Sequence, residues 1–386
     1  MFRYLPLVLK NCWRNRRRTI LTIISIGISM CLLGVMIAMF HAFYLSDPTP
    51  DQALRLVTRN RVSFTVVMPR GYQVQMEHVP GVRVVMVANW FGGIYKDDRD
   101  PKNNFARFAV EPEKLFQVYG EFRIPEDQRK AFERDRAGCV VGRDLANMFG
   151  FKVGDRINLT GNIFPGNFEF TVRGIFDSPT ASEILYFSNE YLEQSMNERR
   201  RGNVIMYYTR IDNAANSPRI AKAIDALFRN STTQTKTESD QAFTVGFLAL
   251  LGNIKMFLIG ISAAVMFTVL LVSANTMAMS VRERVREVGI LKTLGFAPAA
   301  ILGMILGEAC AISIAGGTIG YLISTFLMRL VAKSPFGGYL PAFRPFELPV
   351  ALTCILTAGA IGLVSSLGPA LSASRLSIVQ ALRSTD

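Results

Sequence analysis

Residues 275–295 read NTMAMSVRERVREVGILKTLG. The stretch begins as the end of an apolar segment, turns abruptly into a charged, helix-forming run and stops at a glycine before another long apolar segment. Val281, Val285, Val288 and Leu291 recur at steps of four, three and three, which sets them on one helical face. Arg282, Glu283, Arg284, Arg286, Glu287 and Lys292 supply the polar side. Gly295 fits a helix stop, and Pro298 is allowed in the first turn of the next helix. A short amphipathic helix between two membrane spans is placed to be gripped from the cytoplasm. On charge alone the stretch is also an ordinary basic cytoplasmic loop.

Outward from it, the apolar segments set the architecture. A span needs about 20 residues. Residues 19–45 form one uncharged run, longer than the apolar core of a signal peptide and followed by no small-x-small cleavage site, so it reads as the first span. Residues 246–280 hold an outer stalk end and the second span, with Lys255 able to snorkel at its edge. Residues 281–298 are the short helix and its turn, 299–330 the third span, 331–346 a Pro-, Gly- and aromatic-rich outer loop, 347–371 the fourth span and 372–386 a cytoplasmic tail. Glu308 falls inside the third span, where a carboxylate is costly and marks either a proton path or a helix–helix hydrogen bond. The pairs Gly303/Gly307 and Gly316/Gly320 permit close helix approach, within one chain or between two.

Half of the 386 residues are hydrophobic and 19% are charged, with a mean hydropathy of +0.25, a balance expected of an integral membrane protein. Residues 1–18 carry six basic residues and no acid, while residues 46–245 carry 27 basic and 25 acidic residues. The formal charge of +13 is therefore largely a set of membrane anchors, with no nucleic-acid-binding face. Residues 2–13 place apolar and basic side chains on opposite helical faces, for anchoring in the inner interface or for a second cytoplasmic contact. The five cysteines have no metal-ligand spacing, and Cys139 stands alone in the large polar region, so packing is their expected role.

Residues 46–245 read as a folded α+β extracytoplasmic domain inserted between the first and second spans. Alternating runs predict strands at 62–68, 82–88, 105–110, 156–161, 168–176 and 204–210, with helices at 112–119, 143–150, 189–198 and 217–229. Gly154-Asp155 fits a tight turn feeding a strand. The two histidines, His41 and His78, join no HExxH, GxSxG or Cys–His pattern. The acidic pairs Asp97-Asp98 and Glu126-Asp127, and the run ERRRG at 198–202, read as solvated loops and a turn. The fold class is thus four transmembrane helices with one inserted α+β domain.

REVGILKTLG, through Glu287, Gly289, Leu294 and Gly295, resembles the coupling-helix signature of the MacB/FtsX-like permeases of ABC transporters. The resemblance continues through Glu308, Gly316, Gly317 and Gly320 into the third span and returns in the tail GPALSASRLSIVQALRS at 368–384. It is patchier in the outer domain, at EHVPGVRVV (77–85) and at VVGRDLANMFGFKVGDRINLTG (140–161). The resemblance implies a helix that docks on an ATPase. Arg284, Arg286, Glu287 and Lys292 would make polar contacts with it, Val288, Leu291 and Leu294 would fill its groove, and Gly289 and Gly295 complete the motif. It also favours a structural contact over a proton relay for Glu308, with Gly316 and Gly320 as intramembrane packing positions. No GxxxxGK[ST] run is present, so the chain is expected to carry no cofactor, with ATP and magnesium bound by a separate ATPase subunit. A second permease chain, identical or not, and membrane lipids complete the implied assembly. It lies in a bacterial inner membrane with both termini cytoplasmic. Three roles follow from the family: export with a periplasmic adaptor and outer-membrane channel, extraction of lipoproteins or lipids for a carrier as in LolC/LolE, or ATP-driven regulation of an outer partner such as a cell-wall hydrolase.

Overall fold

The computed structural model describes residues 16–45, 48–97, 99–178, 182–250, 253–332 and 348–375. The N-terminal helix expected at 2–13, the loop beyond residue 332 and the tail beyond residue 375 lie outside them. In chain order the elements are α1 (Arg16–Tyr44), α2 (Pro50–Ala53), β1 (Arg55–Asn60), β2 (Met68–Pro69), α3 (Tyr72–Glu77), β3 (Val82–Trp90), β4 (Ile94–Tyr95) and β5 (Ala106–Val110). Then come α4 (Pro112–Val118), α5 (Glu126–Arg134), β6 (Gly138–Gly142), α6 (Arg143–Phe149), β7 (Arg156–Gly161), β8 (Gly166–Phe176), β9 (Ile184–Ser188) and α7 (Asn189–Gln194). The remainder are β10 (Asn203–Val204), β11 (Met206–Ile211), α8 (Ser217–Leu227), β12 (Thr235–Ser239), α9 (Asp240–Leu250), α10 (Ile254–Glu283), α11 (Val285–Thr293), α12 (Pro298–Ala332) and α13 (Leu348–Arg375). They form two compact units, a bundle of the long helices and a domain from the segment between α1 and α10.

Among the described residues four helices, α1, α10, α12 and α13, are long and apolar enough to cross a membrane. In the bundle α12 packs along both α1 and α13, and α10 packs on α13 and α1. Small residues set the closest approaches. A Cβ on Gly320 would stand 2.7 Å from the Gly27 carbonyl oxygen and from the Met30 Cβ, and one on Gly316 would stand 2.7 Å from Ile26. Gly316 and Gly320 pack within the chain, against α1. Ser273 and Ser365 share a buried hydrogen bond of 2.8 Å between α10 and α13, satisfying two hydroxyls that have no water to turn to.

The inserted domain is built on a ten-stranded sheet of order β12-β1-β11-β3-β5-β9-β6-β8-β7-β4. Pairing is antiparallel except for β5 with β9 and β6 with β8. Aromatic side chains dominate its cores: Phe91, Phe168, Phe170 and Phe187 gather in one, Tyr119, Phe122, Phe176 and Tyr186 in another. The Gly154-Asp155 turn is realised, with Gly154 at φ 101° and the Asp155 carboxylate accepting the Lys152 backbone N–H at 2.8 Å.

Three details depart from the sequence reading. The alternation at 62–68 does not make a strand: only its last residue, Met68, pairs, with Val204. Residues 62, 66 and 67 are exposed valines with no facing strand to bury them. The strand that enters the sheet is instead RLVTRN at 55–60, where Arg55 and Arg59 hide its character; Arg59 pairs with Glu238 at 3.1 Å across β12. Glu126 and Asp127 occupy the first turn of α5 rather than a loop, the end at which acidic side chains complement the helix dipole.

Candidate functional site

The short helix α11 lies between two spans because the chain breaks at Arg284, whose φ of −110° and ψ of 10° end α10 and start α11. At its far end Gly295 sits at φ 85°, Gly295 N–H donates to the Lys292 carbonyl and Phe296 N–H to the Leu291 carbonyl, both at 3.1 Å. This is the double bond pattern of a Schellman stop, and Leu291 and Phe296 supply its hydrophobic contact on one apolar cluster. The helix stop inferred from Gly295 is thus present in geometry.

Three tethers fix α11 to the bundle. The Arg284 guanidinium donates to the Glu308 carboxylate at 2.5 Å, both side chains being largely buried. Lys292 donates through Nζ to the Ser374 carbonyl on α13 at 2.8 Å. Val288 is buried against Ile301 and Met304 of α12, with Leu291 beside it. A cavity of about 60 Å³ bordered by Met277, Glu287, Val288, Met304 and the Arg284–Glu308 pair lies between α10, α11 and α12.

This arrangement redistributes the expected contact residues. Arg284, Val288, Leu291 and Lys292 make contacts within their own bundle, and Gly289 is buried. Glu287 is half-buried beside the cavity. The apolar periodicity located the right face of α11, but the neighbouring α12 supplies apolar side chains at once and covers it. Outward on α11 is the row Arg286, Ile290 and the cap residue Leu294, at steps of four, with Thr293 and Gly295 exposed beside it. Ile290 is 48% and Leu294 70% exposed. Ile290 was missed because it lies off the valine–leucine face. The sequence signal for it was the four-residue repeat through Arg286 and Leu294.

Within the inserted domain a cleft of about 570 Å³ is lined by Asp51, Glu121, Arg123, Arg143, Asp144 and Asp177, among others. Asp51 meets Arg210, Glu121 meets Arg55 and Asp177 meets Arg143, so three of its four acids are already neutralised by arginine. The bond from Arg143 holds the Asp177 carboxyl below its ordinary pKa. Among the described residues no group of His, Cys, Asp and Glu could hold a metal ion. Cys139 is fully buried, and desolvation pushes its thiol well up, as a packing cysteine requires.

Two family models match the chain: the MacB-like periplasmic core domain over residues 19–227 and the FtsX-like permease C-terminal domain over residues 259–378. An uncharacterized ABC transporter permease of Methanocaldococcus jannaschii is 26% identical over 393 residues, covering 97% of this chain and 96% of that protein. The macrolide export ATP-binding/permease protein MacB of Acinetobacter baylyi is 33% identical over 108 residues, which are 28% of this chain and 16% of that protein. The crystal structure of the periplasmic region of MacB from Actinobacillus actinomycetemcomitans matches 50% of this chain and 92% of that one, at 12% identity and a TM-score of 0.38. With the MacB-like model alone matching more than half of its length and the FtsX-like model most of its three later membrane helices, the chain belongs to the MacB/FtsX-like permeases of ABC transporters.

Proposed function

We propose that this permease converts ATP hydrolysis by a separate ATPase subunit into movement of its inserted domain, and that it does so as one of two permease chains. The observation that carries the reading is the exposed row Arg286, Ile290 and Leu294 on a helix whose other face is tied down. Isolated exposed apolar residues are ordinary. Here two lie one turn apart beside an arginine, on a nine-residue helix wedged between two spans. Apolar anchors flanked by an arginine are what a docking groove takes up from a partner helix. Because α11 is bonded to α12 and α13, a push on it is delivered to the bundle rather than lost in a loop. The 386 residues contain no phosphate-cradling GxxxxGK[ST] run, so this reading assigns ATP and its magnesium to a polypeptide beyond them.

In this reading α11 and both termini face the cytoplasm of a bacterial inner membrane, and the inserted domain stands on the other side. The cargo is exported, with a periplasmic adaptor passing it onward; the partial likeness to a macrolide exporter supports that direction. The test is mild-detergent purification of the tagged chain from its native membranes, followed by protein and lipid mass spectrometry. Co-purification of an ATPase with an adaptor is expected. An ATPase arriving with lipoproteins or a lipid carrier would replace export by extraction, and absence of any ATPase would overturn the coupling reading itself.

A further inference from the structure

We infer that residues 61–67 and helix α9 form a lipid-contacting patch that seats the inserted domain on the surface of its own membrane. Between Asn60 and Met68 the segment 61–67 forms no strand, and Val62 is 86% exposed with Val66 and Val67 also exposed. Phe64 joins it to α9: its ring lies 5.5 Å from that of Phe243 and 6.0 Å from that of Phe247, and Phe247 is 42% exposed. The two pieces are thus one apolar surface made by residues distant in sequence.

What covers it is indicated by three features. First, α9 carries no charge beyond Asp240, and Asp240 is buried on Arg55. An eleven-residue helix of sequence DQAFTVGFLAL has no solvated charged face and is ill suited to water. Second, α9 ends at Leu250 and the membrane helix α10 starts at Ile254. The helix that carries Phe243 and Phe247 is therefore followed in sequence almost at once by a membrane span. Third, the surroundings are cationic. Arg59 lies 4.4 Å over the Phe64 ring, Arg61 is exposed, and Lys236 and Arg59 share the single carboxylate of Glu238. Apolar side chains beside arginine and lysine suit the boundary between acyl chains and anionic headgroups.

The test uses the full chain in liposomes of phosphatidylcholine and phosphatidylglycerol containing a nitroxide-labelled lipid. An environment-sensitive fluorophore is placed at Val62→Cys and, as a solvent reference, at Lys130→Cys on α5; the unsubstituted chain, labelled in parallel, corrects for native cysteines. Both positions are exposed, so neither substitution disturbs a core. Lipid quenching at residue 62 is expected to exceed that at residue 130 several-fold, with iodide quenching in the opposite order. A second reporter at Val66→Cys is expected to follow residue 62. Equal and strong iodide quenching at 62 and 130, without lipid quenching, would overturn the proposal. So would disulfide cross-linking between two copies through residue 62, which would make the patch an interface between chains.

Discussion

Replacing Arg55 by methionine is expected to cost the inserted domain about 3–5 kcal/mol, the usual penalty for stranding buried charge. The Arg55 residue is 1% exposed. Its Nη1 donates to both Glu121 oxygens at 2.6 and 2.9 Å, and its Nε and Nη2 donate to Asp240 at 3.1 and 3.0 Å. Its guanidinium carbon stands 4.2 Å over the Tyr119 ring. Burial alone would lower the arginine's pKa, but Asp240, Tyr119 and Glu121 together carry it above its ordinary value. Methionine fills most of the volume and leaves two carboxylates in a low-dielectric site with no cation. The position magnifies the consequence. Arg55 opens β1 just after the chain leaves α1, and Asp240 opens α9 just before α10. One side chain therefore ties together the two connections through which the domain is attached. Maleimide labelling of Cys139, followed by peptide mass, reads the opening of that domain, because this thiol is fully buried. The labelling rate should rise by about two to three and a half orders of magnitude. Adding Glu121→Gln and Asp240→Asn should return a large part of it. An unchanged rate would mean that the triad contributes little to holding the domain closed.

Removal of Glu308 is the second large effect expected. Its carboxylate sits in α12 with apolar Met277, Ile301 and Met304 around the shared cavity, and the Arg284 guanidinium bonds to it. Glu308→Ala leaves a largely buried arginine at the joint between α10 and α11, again about 3–5 kcal/mol of bundle stability. Arg284→Ala should cost a similar amount by stranding the acid. Because the two groups are in direct contact, the double variant should cost much less than the sum of the singles. Thermal unfolding in detergent across the four-member cycle measures this. Strictly additive losses would show that the pair is geometric only. Both single variants are expected still to capture the ATPase through the outer row of α11 but to transmit its motion poorly, since the joint is no longer held to α12.

How much of this was legible depends on the range of the interaction. The four spans, the glycine stop at 295 and the unusual carboxylate at 308 are local signals, and each shows in the sequence. The partner of Glu308 is not local. Arg284 reads as one cation among several in a basic loop, and only the break between α10 and α11 turns it inward. The valine–leucine face of α11 is a correct periodicity whose direction depends on what α12 offers, and that is a tertiary fact. β1 was missed for a related reason. RLVTRN carries two arginines, which count against a strand until a triad 66 and 185 residues away in sequence is known to neutralise the first of them. Conversely, VSFTVVM has the alternation of a strand but, short of Met68, lacks a neighbour to pair with. Its exposed valines are left free for another surface.

In the proposed coupling an ATPase grips α11 through Arg286, Ile290 and Leu294. The most direct measurement is ATP turnover by the partner ATPase with this permease in nanodiscs, comparing the native chain with the double variant Ile290→Asp and Leu294→Asp. Both side chains are exposed, so the variant should fold and melt as the native chain does. Loss of permease-dependent stimulation is expected, with ATPase affinity weakened by at least about thirtyfold, the loss of one hot spot of about 2 kcal/mol. Full stimulation and unchanged affinity in a correctly folded double variant would contradict it.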